Sequence, residues 1–177
     1  MIDGDSAEFD PKDASCMHQA LAQARLAIDA GEVPVGAIVV WQGQIIGKGY
    51  NRREQLQTPT AHAEILAIEA AAHVLGSWRL SECKLYVTLE PCIMCVGAIL
   101  QARIQRLVFG CLDPKAGAVK SLYRLCEDSR LNHQLAVAGG VLSQECAALL
   151  ASFFGDLRKK KKRARIAERW PSPVEGA

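Results

Sequence analysis

The stretch KLYVTLEPCIMC, Lys84 to Cys95, changes its period within a dozen residues. Lys84 to Leu89 alternates and carries aromatic and β-branched residues, which reads as a strand. Pro91 to Gln101 then runs on as a helix, and Pro91 suits the first helical position because its missing N–H costs nothing there. RLVFG, Arg106 to Gly110, is a further strand. This strand–helix–strand order sets the chain in the α/β class.

Upstream lies PTAHAEILAIEAAAHVL, Pro59 to Leu75, an apolar helix introduced by Thr-Pro-Thr. Before it, VGAIVVW and QIIGKGY flank Gln42-Gly43 and read as a β-hairpin. Asp13 to Gly31 has apolar residues at helical spacing and ends on a glycine. Downstream, SLYRLCED reads as a helical turn or two and QLAVAGG as a short strand. Ser143 to about Arg163 reads as a final helix with Ser143 as N-cap. The order predicts a mixed sheet with helices on both faces.

The 177 residues suit one domain with short tails. No apolar run approaches the ~20 residues needed to span a membrane. Residues 1–13, MIDGDSAEFDPKD, are acidic and lack the basic-then-apolar pattern of a secretory signal, so they read as a disordered lead-in to a domain over 14–158. Seven cysteines without an export signal imply reduced thiols in the cytoplasm, where metal binding outranks disulfides. The net charge of +2 is uneven: RKKKKRAR, Arg158 to Arg165, holds seven of the 21 basic residues, leaving 14 against 19 acidic ones, a net of −5. Residues 159–177 read as a basic tail.

His62 and Glu64 stand two apart, ~200° around a helix, so they serve one site only at its first turn. Cys92 and Cys95, at i and i+3, present two sulfurs to one ion. The helix dipole there favours thiolates. His62, Cys92 and Cys95 form a zinc set, and three protein ligands leave one position for a water. Two thiolates offset the charge of the metal, so such a water needs a proton acceptor nearby, and Glu64 fills that role.

His-x-Glu followed by Pro-Cys-x-x-Cys is the signature of the zinc-dependent nucleobase deaminases. EVPVGAIVV, NRREQLQTPTAHAEI, LYVTLEPCIMC, RLVFGCLDPKAGA and ECAALLASFF together resemble the bacterial tRNA-specific adenosine deaminases of the cytidine/deoxycytidylate deaminase superfamily. The resemblance implies a three-layer α-β-α fold with a mixed five-stranded sheet, and a homodimer. It implies one Zn2+ per chain on His62, Cys92 and Cys95, with Glu64 as catalytic proton shuttle. It also implies a tRNA anticodon stem-loop as partner, whose wobble adenosine becomes inosine by zinc-activated water. Asn51 matches an asparagine that contacts the flipped nucleotide, and the loop from Asp113 through Lys115 to Gly117 matches one that contacts RNA. Phe154, beside Phe153, reads as an RNA-stacking residue or as a core or dimer contact. Two alternatives stay open: a guanine or cytosine deaminase on the same fold, and a non-catalytic RNA-binding protein whose zinc is closed by Cys83 or Cys111.

Overall fold

The computed structural model describes residues 10–169, so expectations for residues 1–9 and 170–177 lie outside the described residues. A five-stranded sheet carries the strands β1 (Gly36–Trp41), β2 (Gln44–Tyr50), β3 (Lys84–Leu89), β4 (Arg106–Cys111) and β5 (Ala136–Gly139) in the order β2-β1-β3-β4-β5. The first two pair antiparallel through a turn at Gln42 and Gly43, both at positive φ as such a tight hairpin requires. β1 is antiparallel to β3, whereas β3, β4 and β5 run parallel.

Strand alternation divides the core in two. Ala37, Val39, Leu85, Val87, Leu107 and Phe109 pack on one face against α3 (Ala63–Leu75) and α4 (Ile93–Gln101). Ile38, Val40, Tyr86 and Val108 pack on the other, against α1 (Pro11–Asp29) and α5 (Ser143–Arg169). The short α2 (Arg53–Leu56) lies between β2 and α3, in what reads from sequence as a plain loop.

Two glycines set the approach of α3. A Cβ on Gly47 would stand 2.2 Å from the Ala67 carbonyl oxygen, and one on Gly49 2.3 Å from that of Ala63. On the opposite face, a Cβ on Gly36 would stand 2.2 Å from the Ala20 oxygen of α1. Helix backbone therefore rests directly on the sheet, which alanine-lined helices permit.

Several boundaries differ from the sequence reading. Helix α1 begins at Pro11 because Asp10 and Asp13 form a capping box, each side chain accepting a backbone N–H of the other's turn. Buried Asp13 also accepts from Arg106 Nη1 at 2.7 Å and from the Tyr86 hydroxyl at 3.0 Å, fastening the helix start to the sheet. Ser143 is the first helical residue of α5 and not its cap: Cys146 N–H donates to the Leu142 carbonyl at 3.0 Å, so Leu142 holds the cap position. The helix continues past Arg163 to Arg169 and takes in the basic cluster. The segment SLYRLCED yields a single 3-10 turn, Leu125–Glu127.

Candidate metal centre

α3 and α4 lie side by side on one face of the sheet and begin at the same end of it. His62 is the N-cap of α3 and Cys92 the N-cap of α4, both with extended backbone and neither with a side-chain capping bond. Ser, Thr, Asp or Asn ordinarily hold such positions. Pro91 therefore precedes the cap, correcting its expected place as the first helical residue. Its carbonyl accepts from Ala118 N–H at 2.8 Å, and Cys92 bridges Gly117, so the chain stays extended through Cys92 before the helix turns.

Imidazole and thiols converge. His62 Nδ1 lies 3.5 Å from Cys95 Sγ and 3.8 Å from Cys92 Sγ, and all three ligand atoms fall within 4.8 Å of one another. Tetrahedral bonds of ~2.3 Å to sulfur and ~2.0 Å to nitrogen set adjacent ligand atoms about 3.6 Å apart, so the triangle fits zinc. Among the described residues no further His, Cys, Asp or Glu joins this cluster. Cys83 is buried in the core beneath α3 and α4, its thiol pushed up to about 11 by burial. Cys111 points to the other face and donates to the Thr88 carbonyl at 3.6 Å. Neither closes the site as a fourth ligand.

Without an ion the thiols polarise each other. Cys92 is pulled down to about 4 by the Cys95 thiol beside it, with His62 adding to the effect against burial. Cys95, fully buried, is pushed up by the same contact and by burial. Glu64, in the first turn of α3 and 4 % exposed, has its carboxyl raised above the usual range by burial, which its own backbone N–H and His62 oppose. A carboxyl held ready to take and release a proton beside a metal triangle suits proton transfer.

A cavity of ≈ 210 Å3 opens over these groups, lined by His62, Glu64, Cys92, Asn51 and Asp113, with Val33 and Val35 among its apolar walls. The structure thus brings Asn51 and Asp113 to the metal triangle. Lys115 is exposed and outside the lining, its N–H donating to Asp113 Oδ1 at 3.0 Å. Phe154 sits on α5, 40 % exposed and edge-on to Phe153, outside the cavity.

Two acids escaped the sequence reading. Glu32, 1 % exposed, accepts from Asn51 Nδ2 at 3.3 Å and from Gln55 N–H at 2.6 Å. Asn51 Nδ2 also donates to the Val33 carbonyl at 3.3 Å, so both amide hydrogens are engaged and Oδ1 remains as its acceptor. Glu90, also buried, lines the cavity beside Cys92. Their signal was their setting: single acids within EVPVG and TLEPC, each beside an apolar residue and within two residues of a proline.

Fold and site together define a deaminase of the zinc type, with one face of a mixed sheet presenting a His/Cys/Cys triangle and a buried glutamate. The chain belongs to the MafB19-like deaminase family, whose model matches residues 12–158. It is 48% identical over 154 residues to the tRNA-specific adenosine deaminase of Bacillus subtilis, covering 87% of this chain and 96% of that protein. A solved structure from work on A-to-I editing by tRNA A34 deaminases at the wobble position matches with a TM-score of 0.74 and 45% identity, over 77% of this chain and 99% of its own. The guanine deaminase of Nitrosomonas europaea is more distant, at 25% identity and a TM-score of 0.65 over 79% of this chain and 83% of its own.

Proposed function

We propose that this protein hydrolytically deaminates adenosine to inosine at the wobble position of a tRNA anticodon, acting in the cytoplasm as a homodimer with one zinc per chain. The observation that carries the reading is the buried Glu64 sharing one cavity with the His62/Cys92/Cys95 triangle. High identity to tRNA-specific adenosine deaminases supports the substrate class. Seven free thiols suit a reducing compartment, and no helix among the described residues is long and apolar enough to cross a membrane.

His62, Cys92 and Cys95 would hold zinc, which supplies a Lewis acid that lowers the pKa of a water at the open position. Glu64 accepts the proton that the attacking water gives up and passes it to purine N1. It then conveys a second proton to the exocyclic amine, which leaves C6 as ammonia. Water in and ammonia out balance adenosine to inosine. Asn51 Nδ2 is held by Glu32 and the Val33 carbonyl, and Asn51 Oδ1 would accept a hydrogen bond from the entering nucleotide. The base must be splayed from its stack, which is cheap in a single-stranded anticodon loop. Asp113, in the wall of the cavity, and Lys115, on the outside beside it, would meet the flanking nucleotides.

The test is to incubate the purified, zinc-loaded protein with an unmodified tRNA bearing a wobble adenosine, and in parallel with adenosine, guanine and cytosine. Inosine appearing in the tRNA far faster than product from any free base or nucleoside supports the reading. Equal or better turnover of guanine would overturn it in favour of a small-molecule deaminase.

A further inference from the structure

Glu90 directly follows β3, two residues before Cys92, and is 2 % exposed. Its carboxylate gathers five donors from one distant loop. Oε1 accepts from the consecutive N–H groups of Val119 at 3.1 Å, Lys120 at 2.6 Å and Ser121 at 2.8 Å. Oε2 accepts from Asp113 N–H at 3.0 Å and from the Ser121 hydroxyl. Successive backbone N–H groups curled in this way form an anion nest, and here the anion is internal.

The loop closes tightly on this carboxylate. A Cβ on Gly117 would lie 2.4 Å from the Glu90 carboxyl carbon, so only glycine fits there. The adjoining backbone is tied in as well, through the Pro91–Ala118 bond and the Cys92–Gly117 bridge. Asp113, at the first clamped end, and Ala116, between it and the second clamped end at Val119, form part of the cavity wall. One short segment, residues 90–92, thus presents a metal ligand and holds the facing wall at a set distance from it.

We infer that Glu90 is a positioning residue, which fixes the Asp113–Ser121 loop over the cavity and thereby governs how the nucleotide docks, without moving a proton itself. The inference rests on the deaminase reading for its substrate. An ionised carboxylate is acceptor-only, which five converging donors demand. Glutamine of the same shape would turn an NH2 toward N–H groups. The loop would then lose part of its anchorage, while the metal triangle keeps all its ligands.

The experiment compares Glu90→Gln with the parent protein by hydrogen exchange, zinc content and kinetics on an anticodon stem-loop. Amides of residues 113–121 should exchange at least about 10-fold faster while α3 and α4 keep their protection. Zinc should remain at one per chain, and kcat/KM should fall about 10-fold or more, chiefly through KM. Ser121→Ala, which deletes one donor and keeps the charge, should move both readouts in the same direction by a smaller factor; it decides the matter should Glu90→Gln fail to fold. Unchanged exchange in 113–121 would overturn the clamp. Faster exchange with unchanged KM would overturn its role in docking, and loss of activity in step with loss of zinc would make Glu90 a support of the metal site instead. Absence of turnover in the parent protein would sink the deaminase reading alone, since the exchange comparison needs no substrate.

Discussion

Gly49→Ala tests whether the seating of α3 on the sheet sets the chemistry. A Cβ there would meet the Ala63 carbonyl oxygen at 2.3 Å, Ala67 N at 2.8 Å and Leu66 Cβ at 3.0 Å. Ordinary contact begins near 3.4 Å, so the helix must retreat by about 1 Å at Ala63. β2 yields little, being paired to β1 along its length. Ala63 lies between His62 and Glu64, so the proposed ligand and the proposed proton carrier both shift against Cys92 and Cys95, which stay with α4. Overpacking of this kind costs about 1–3 kcal/mol. At 2–4 °C per kcal/mol for a chain of this size, Tm should fall by about 2–12 °C. A misplacement of about 1 Å in a catalytic constellation costs about 10²-fold, so kcat/KM on a tRNA stem-loop should drop that far well below Tm. Gly36→Ala is the control: its Cβ would stand 2.2 Å from Ala20 O and 2.3 Å from Ala24 N of α1, a clash of the same size on the opposite face. It should lower Tm comparably and keep kcat/KM within a few-fold. Thermal melts and steady-state inosine assays read both variants. A Gly49→Ala protein with kcat/KM within about threefold of the parent, or a Gly36→Ala protein equally impaired, would refute the reasoning.

Glu64→Gln keeps shape and ligands but cannot carry protons, so turnover should fall by about 10²–10⁴-fold while zinc and tRNA binding persist, measured by inosine formation, elemental analysis and filter binding. Chelation, Cys92→Ala or Cys95→Ser should each abolish activity and lower stability, because the proposed ion would tie two helix starts together. In the chelated parent, the Cys92 thiol at about 4 is ionised throughout mild acid. Iodoacetamide at pH 6, where an ordinary thiol is about 10⁻³ ionised, should therefore label Cys92 in the metal-free protein only, as read by peptide mass spectrometry. Labelling that is the same with and without zinc would contradict its role as a ligand. Truncation after Leu157 removes the seven basic residues of Arg158 to Arg165. At ~0.7 per phosphate contact, three lost contacts should flatten the slope of log affinity against log salt by about two units, with turnover at saturating tRNA little changed.

Strands and hairpin were legible because their period and turn residues act locally: β3 matches KLYVTL residue for residue, and Gln42-Gly43 forms the turn. The gathering of His62, Cys92 and Cys95, with Glu64 beside them, was legible for the same reason, since His62/Glu64 and Cys92/Cys95 are short-range pairs placed by helix starts. What escaped depends on partners far along the chain. The start of α1 was hidden because Asp10 and Asp13 read as part of an acidic tail, whereas one caps the helix and the other pairs with Arg106 and Tyr86. The loop after β4 gains its shape from Glu90, whose donors lie 23 to 31 residues away. Glu32 likewise orients Asn51 from 19 residues upstream. A buried acid and a surface acid look alike in a sequence until their donors are known.

The uncapped starts of α3 and α4 are where the proposed centre would exchange durability for reactivity. A serine or aspartate in place of His62 or Cys92 would satisfy backbone N–H groups there, and a good cap is worth about 0.5–2 kcal/mol. Selection for a more heat-resistant, metal-free fold would therefore favour the very replacements that abolish the centre. Libraries of this protein screened for folding alone, without zinc, should drift toward inactive variants at these two positions, a case of the general conflict between stability and activity. Screens that retain zinc in the medium and score the product are the ones that keep both residues.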